Sequence, residues 1–304
     1  MITFFGMPSR SSGIIRGHQI SQEIGGNFID KNSHRLVSGK NTIYDTCIFI
    51  RDINISDAKK MRSQGRKIGY DLLDRPVADI HRVQRNDNKD CADIDWKRYI
   101  NENIDFYIVN NTCAKEKLKK VKLSHHKIYV IPHPVITNSI YDNVYDYKKN
   151  PINIGYLGMP DQISKKLEID SFCKNNGLNL CLENYSTRNE CIDFLKGVDI
   201  GLVFLEKNMT TDYVLKYKPN VKLTNFQAFG IPSVICSYSS YLEFSVENSY
   251  LKADTVNEVF DSILKIKNSE KIRKNISELS YKSANHYTLK NIKNLYLKAI
   301  EEMK

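Results

Sequence analysis

One stretch of this chain gathers the residue types that can hold and release a phosphorylated group: Lys216-Tyr217-Lys218-Pro219-Asn220-Val221-Lys222-Leu223-Thr224-Asn225-Phe226-Gln227-Ala228-Phe229-Gly230-Ile231-Pro232. If Pro219 or Asn220 opens a helix, Lys218 lies at its mouth, and Lys222 and Asn225 fall about one turn apart on the same face. A diphosphate placed there meets the amide dipoles of the helix start and two ammonium groups. Those groups supply what a metal ion supplies elsewhere, namely stabilisation of the negative charge that grows on a departing diphosphate, with Lys222 as the catalytic cation. Asn225 and Gln227 are then placed to contact hydroxyls of a ribose or a sugar. Gly230 reads as the helix cap that lets the next strand begin at once. The same spacing also describes an amphipathic helix whose lysines face water.

A second stretch, Gly6 to Ile20, is a Gly/Ser-rich turn entering a helix, with Gly13, Arg16 and Gly17 at its centre. Backbone amides at a helix start attract anions, and Arg16 adds a fixed positive charge. The spacing is neither the dinucleotide fingerprint nor the P-loop, and a simple turn with a helix start satisfies it equally. A reaction that inverts a sugar carbon also needs a proton acceptor. His18 on this loop, and Asp71 or Asp74 at the end of the Lys67–Leu73 run, are the candidates, although aspartates at strand ends also cap helices. His133, between two prolines, reads as a structural hinge residue, and the pair His125-His126 as surface.

The run Lys218-Pro219-x-x-Lys222-Leu223-x-Asn225-x-Gln227-Ala228-x-Gly230-x-Pro232 resembles the nucleotide-sugar-binding segment of group 1-type glycosyltransferases, especially those of bacterial surface-polysaccharide synthesis. The flanks resemble that family too. Asp199-Ile200-Gly201-Leu202-Val203 looks like the strand before the segment, and Glu243 sits where a hydroxyl-binding acid follows. Ile154-Gly155-Tyr156-Leu157-Gly158 is similar to the strand and glycine turn that open the second domain, Val130-Ile131-Pro132-His133-Pro134 to the end of the first, and Ser12-Gly13-x-x-Arg16-Gly17-x-Gln19-Ile20 to the first loop. The resemblance implies a GT-B fold and transfer of a monosaccharide from a nucleotide-diphosphate sugar, the co-substrate, with no further cofactor and no metal. It assigns Gly13, Arg16, Gly17, Gly158, Lys218, Lys222, Asn225, Gln227 and Glu243 to donor binding, and a glycan or lipid-linked molecule to the acceptor site. The chain departs from the pattern where many relatives carry two glutamates eight positions apart, since Tyr217 and Asn225 stand there. Lys165 or Lys166 replaces the common basic pair after the second-domain glycine turn. The missing acids leave a second function open, a nucleotide-sugar-binding protein without turnover.

The elements that must position these residues alternate. Strand-like runs at Ile2–Gly6, Ile43–Ile50, Lys67–Leu73, Phe106–Asn110 and Lys127–Ile131 are separated by helical patterns at Ile15–Ile24, Ser56–Gly65 and Cys113–Leu123. A basic, Tyr- and Asn-rich stretch at Thr137–Pro151 reads as a linker. The alternation then restarts with strands at Ile152–Leu157, Leu178–Leu182, Asp199–Phe204 and Pro232–Cys236, and helices at Ile163–Lys174, Asn189–Lys196, Asn220–Gly230, Val256–Lys267 and Leu289–Met303. This pattern predicts an α/β chain of two Rossmann-like, doubly wound domains facing across a cleft. The expected boundaries are 1–140 for an acceptor-side domain, 141–285 for a donor-side domain, and 286–304 for a C-terminal helix able to pack back towards the first.

A chain of 304 residues, 41% hydrophobic and 26% charged, can bury two cores of ordinary size. It has no apolar stretch long enough to span a bilayer and no secretory leader pattern, so a cytoplasmic location is expected, at the inner face of the membrane if the acceptor is lipid-linked. Its seven scattered cysteines form none of the close pairs that metal or redox sites need and are expected to be reduced. The net charge of +10 draws the protein to nucleic acid, an anionic membrane or a phosphorylated substrate. The lysines form no basic tail and no aromatic-interleaved pattern, which argues against nucleic acid and for peripheral membrane contact or a phosphate-rich substrate.

Overall fold

The computed structural model describes residues 1–8, 13–30, 45–51, 53–73, 102–120, 126–137, 145–184, 187–205, 216–237 and 239–303. The chain divides into two compact units, 1–133 with 292–304, and 134–291. The division at His133/Pro134 falls seven residues before the position expected from sequence, and the return passage at Asn291/Ile292 falls within the last helix.

In the first unit, β1 (Ile2–Gly6) leads through a π-helical turn, Gly13–Gln19, into α1 (Ile20–Ile24), followed by β2 (Asn27–Asp30), β3 (Thr46–Ile50), α2 (Ile55–Ser63), β4 (Lys67–Asp71), β5 (Phe106–Val109), α3 (Thr112–Lys120) and β6 (Lys127–Val130). All strand pairs are parallel, in the order β2-β1-β3-β4-β5-β6. β3 and β5 are buried at every position, which is why they read as unbroken apolar runs: a parallel sheet is covered on both faces. The edge strand β2 has no such run and was invisible to periodicity; its residues are only partly buried.

The second unit repeats the plan with β7 (Asn153–Leu157), α4 (Lys166–Asn175), β8 (Asn179–Glu183), α5 (Arg188–Lys196), β9 (Ile200–Val203), α6 (Val221–Ala228), β10 (Ser233–Ile235), a short α7 (Ser239–Leu242), β11 (Leu251–Lys252), α8 (Val256–Asn268) and α9 (Glu270–Asn285). The parallel sheet runs β11-β10-β9-β7-β8. α5 and α8 each start with a capping box, Thr187 with Glu190 and Thr255 with Glu258, which satisfies the first orphan amides reciprocally. The final helix, α10 (Leu289–Glu301), carries the chain back into the first unit.

Part of the stretch read as a linker is fixed in the second unit. The Tyr145 amide donates to the Tyr281 hydroxyl at 3.1 Å, and the Tyr145 hydroxyl to the Asp199 carbonyl at 2.8 Å. The Asp199 carboxylate accepts from Lys149 Nζ at 2.8 Å and from the amides of Ile152 and Asn153 at 2.9 Å, so one acid at the head of β9 ties down the entry to β7. Residues 138–144 lie outside the described residues.

Both sheets place their first strand between the second and the third. Their connections therefore reverse direction between β1 and β3, and again between β7 and β9. Ligands of open parallel sheets bind outside the carboxyl ends of the strands at such a reversal.

Candidate donor site

At the reversal in the second unit, β7 ends in Gly158, and the connection leaving β9 delivers Lys222 in the first turn of α6. The two meet. A Cβ on Gly158 would lie 2.7 Å from Lys222 Nζ, and its φ of +129° is a backbone state that a side chain rarely adopts. The glycine therefore leaves room for the ammonium and supplies a turn that another residue would strain.

Lys222 Nζ donates a 2.6 Å hydrogen bond to the Tyr156 hydroxyl and sits 4.0 Å from the centroid of that ring. No carboxylate pairs with it among the described residues. Burial pushes the amine down to about 7, the charge of Lys218 pushes the same way, and Cys236 opposes weakly. Asn220, the cap residue of α6, makes no side-chain hydrogen bond to the first turn of the helix. A largely desolvated lysine beside the amides of a helix start is suited to an anion, because a buried positive charge needs a partner.

The rest of the segment has other work. Asn225 is 1% exposed, and its Oδ1 accepts the Ile136 amide at 3.0 Å, so it fastens the chain just after the passage between units. Gln227 is fully buried and donates from Nε2 to Ser249 Oγ at 3.0 Å. The expectation that these two amides contact ligand hydroxyls is corrected on this point: α6 is buried from Leu223 to Ala228, leaving Lys222 and Val221 at the only partly exposed positions of the helix. Gly230 caps α6 as expected. Its φ is +65°, its amide donates to the Gln227 carbonyl and that of Ile231 to the Phe226 carbonyl, and a Cβ would strike the Tyr281 ring at 2.4 Å. Lys218 is half-buried ahead of the helix, and Glu243 half-buried just after α7. Lys165 ion-pairs with Glu168 at 2.9 Å.

In the first unit the candidate residues separate. Arg16 and Asp71 are both fully buried and ion-paired at 2.8 Å. Arg16 Nη1 also donates to the carbonyls of Ile131 and Pro132, at 3.0 and 3.1 Å, and the Tyr296 hydroxyl donates to Asp71 Oδ2 at 2.7 Å. Burial opposes the Arg16 charge, yet Asp71 and Tyr296 together raise its pKa; burial dominates the rise at Tyr296. Arg16 is thus the partner of an internal carboxylate rather than an exposed anion hook, and Asp71 is a structural acid with its oxygens engaged rather than an open proton acceptor. Gly13 and Gly17 are explained by close approach: a Cβ would lie 2.0 Å from the Met7 carbonyl oxygen and 2.4 Å from the Phe28 ring. His18 is exposed, edge-on to Phe28 with centroids 5.8 Å apart. His133 is buried at the point where the chain leaves the first unit. Asp74, His125 and the loop residues 9–12 lie outside the described residues.

Two tyrosines that hold these clusters are not singled out by the sequence. Tyr156 lies in a strand run, where the Gly155-Tyr156-Leu157-Gly158 pattern puts it beside the glycine turn. Tyr296 lay hidden in the apolar stripe of α10. Among the described residues no group of three His, Cys, Asp or Glu is arranged to hold a metal ion, and no helix is long and apolar enough to cross a membrane.

No family model matches the chain, and no curated protein matches it in sequence. Solved structures do match it in shape. Sucrose-phosphate synthase from Thermosynechococcus elongatus superposes with a TM-score of 0.67 at 10% identity, over 99% of this chain and 98% of the other. HepE of Anabaena in complex with UDP gives 0.64 at 8% identity, over 99% of each chain. The N-terminal domain of trehalose-6-phosphate phosphatase from Candida albicans gives 0.65 at 8% identity, over 100% and 96%. Two doubly wound α/β units of matching strand order, superposing nearly end to end on such structures, give the chain the GT-B fold of two Rossmann-like domains.

Proposed function

We propose that the protein is a glycosyltransferase that moves a monosaccharide from a nucleotide-diphosphate sugar to a glycan or lipid-linked acceptor, without a metal ion, in the synthesis of a surface polysaccharide. One observation carries this reading. Lys222 is a largely buried lysine with no carboxylate partner among the described residues, at the sheet reversal of the second unit, beside a glycine turn and a helix start whose cap residue makes no side-chain hydrogen bond to it. A leaving diphosphate needs a positive charge held in a fixed, poorly solvated position, and Lys222 as its ammonium supplies it. The complexes of HepE with UDP and with UDP-glucose support a uridine donor on a fold of the same shape. The exposed His18, rather than the ion-paired Asp71, is the better candidate for a general base.

Charge supports the acceptor side. Over the full sequence the first unit holds 26 Lys and Arg against 17 Asp and Glu, a net +9, and the second holds 19 against 18, a net +1. Almost all the excess positive charge thus lies on the unit expected to meet the acceptor, which suits an anionic lipid diphosphate or the anionic inner leaflet of a membrane. The second reading, a donor-binding protein without turnover, is favoured by Tyr217 and Asn225 standing where the paired glutamates are expected.

Incubation with UDP-, GDP- and CMP-activated sugars separates the two. A transferase hydrolyses its donor slowly in the absence of acceptor, and Lys222→Ala suppresses that hydrolysis by at least tenfold while leaving the fold intact. Donor binding with no release at all, or undiminished hydrolysis by Lys222→Ala, would overturn the proposed activity.

A further inference from the structure

The Lys222 side chain occupies an unusual place for a phosphate ligand. A cation that waits for an anion is ordinarily kept charged by solvent or by a standing carboxylate. Here the side chain is desolvated, its hydrogen bond goes to a neutral phenol, and the charged side chain acting on it most strongly is a second lysine, Lys218. Among the described residues, the elements packed around it add no compensating negative charge. β7 contributes Tyr156 and the glycine turn, the segment before α6 contributes Lys218, and the end of β10 contributes Cys236, whose thiol donates to the Val203 carbonyl at 3.1 Å. Tyr241 of α7 is fully buried near Cys236 and Tyr156, and burial holds its hydroxyl in the neutral form.

We propose that donor capture is coupled to proton uptake: the empty site holds Lys222 as a neutral amine against Tyr156, and the arriving diphosphate and a proton from solvent convert it to a diphosphate-bound ammonium. The inference deepens the donor-site reading and rests on it. The balance is simple, since one proton from buffer joins the Nζ lone pair and no other bond is made or broken. The lowering of the amine to about 7 agrees with this geometry, and its causes rank burial first and Lys218 second. Tyr156 is not among them. The phenol positions the amine without setting its charge.

Titration calorimetry of the whole protein with UDP-glucose and with GDP-mannose, in buffers of different ionisation enthalpy, measures the protons taken up. The pyrophosphate diesters of both probes keep a constant charge across the range used. At pH 8 the wild type is expected to take up close to one proton per ligand bound, at pH 6 almost none, and its affinity is expected to fall about tenfold per pH unit above about 7.5. Lys222→Arg keeps a permanent charge, so it is expected to bind with no proton uptake and with a flat pH profile. Tyr156→Phe is expected to retain the uptake. The wild-type series decides even if a variant does not fold. Tight binding at pH 8 with no proton taken up, or full uptake surviving in Lys222→Arg, would overturn the coupling. Failure of both probes to bind anywhere between pH 6 and 9 would instead remove the donor site on which the inference stands.

Discussion

Replacing Lys222 by Met is expected to make the protein more stable while removing its ligand. The substitution keeps the unbranched stem and deletes the charge. The amine stands at about 7 in the folded chain against an ordinary 10.5. The sign follows from proton binding: between these two values the unfolded chain holds the extra proton, so stability rises with pH across that window and is lowest below it. The full difference corresponds to an upper bound of roughly 5 kcal/mol, of which about 4 remains at pH 7, where half the folded molecules still carry the charge. Lys222 keeps some contact with solvent, which screens the burial, so a gain on the order of 2–4 kcal/mol is the reasonable expectation at pH 7. For a unit of this size that raises the melting temperature by roughly 5–15 °C. The gain shrinks to about 1 kcal/mol or less near pH 10, where the folded amine is neutral and the unfolded one, at its ordinary 10.5, still carries most of its proton.

Differential scanning fluorimetry at pH 7 and pH 10, with and without UDP, reads all of this in one plate. Wild-type protein saturated at 100 times its Kd gains about 2.7 kcal/mol from ligand, and the variant is expected to gain nothing. If Lys222→Met melts below the wild type at pH 7, if the difference does not change with pH, or if UDP still stabilises the variant, the account of this lysine as a desolvated amine that takes a diphosphate fails.

Other substitutions test the supports of the site. Gly158→Ala adds a Cβ 2.7 Å from the Lys222 ammonium at a φ of +129°; a loss of about 1–3 kcal/mol in denaturant melts and at least tenfold weaker UDP binding are expected. Asp71→Asn leaves the Arg16 guanidinium buried without its counter-ion, and chemical denaturation is expected to show a loss of about 3–5 kcal/mol; a fully stable Asp71→Asn protein that has lost activity alone would restore the aspartate as a proton acceptor. Gly230→Ala meets the Tyr281 ring at 2.4 Å in a left-handed backbone and is expected to destabilise the second unit by 2 kcal/mol or more in the same melts. His18→Ala, at an exposed position, is expected to leave the melting temperature within a degree of wild type and to lower transfer to acceptor by about 10²–10⁴, in line with loss of a general base.

The sequence was legible where burial is apolar and illegible where burial is polar. The strands β1, β3, β5, β7 and β9 announce themselves because both faces of a parallel sheet are covered and every position must be apolar. Helix α9 does not announce itself: Glu270-Lys271-Ile272-Arg273-Lys274-Asn275 and the serines that follow look like a solvated stretch. Yet Arg273, Ser277, Ser280 and Ser283 are buried. Three of them have partners within the fold: Arg273 donates to the carbonyls of Tyr147, Ile266 and Lys267, Ser280 to the Ser249 carbonyl, and Ser283 to Ser249 Oγ. Small hydroxyl side chains let α9 approach α6 closely, and that approach seals Gln227 against Ser249 and turns the far face of the lysine helix into core. The misplacement of Asn225 and Gln227 at the ligand therefore has the same origin as the overlooked helix. A reading that counts apolar residues cannot see a partner whose contact face is made of serine, and so it left one side of α6 open to a ligand when that side was already occupied. Lys222 escaped this error because it sits in the first, partly exposed turn of α6, where its neighbours are Gly158 and Tyr156.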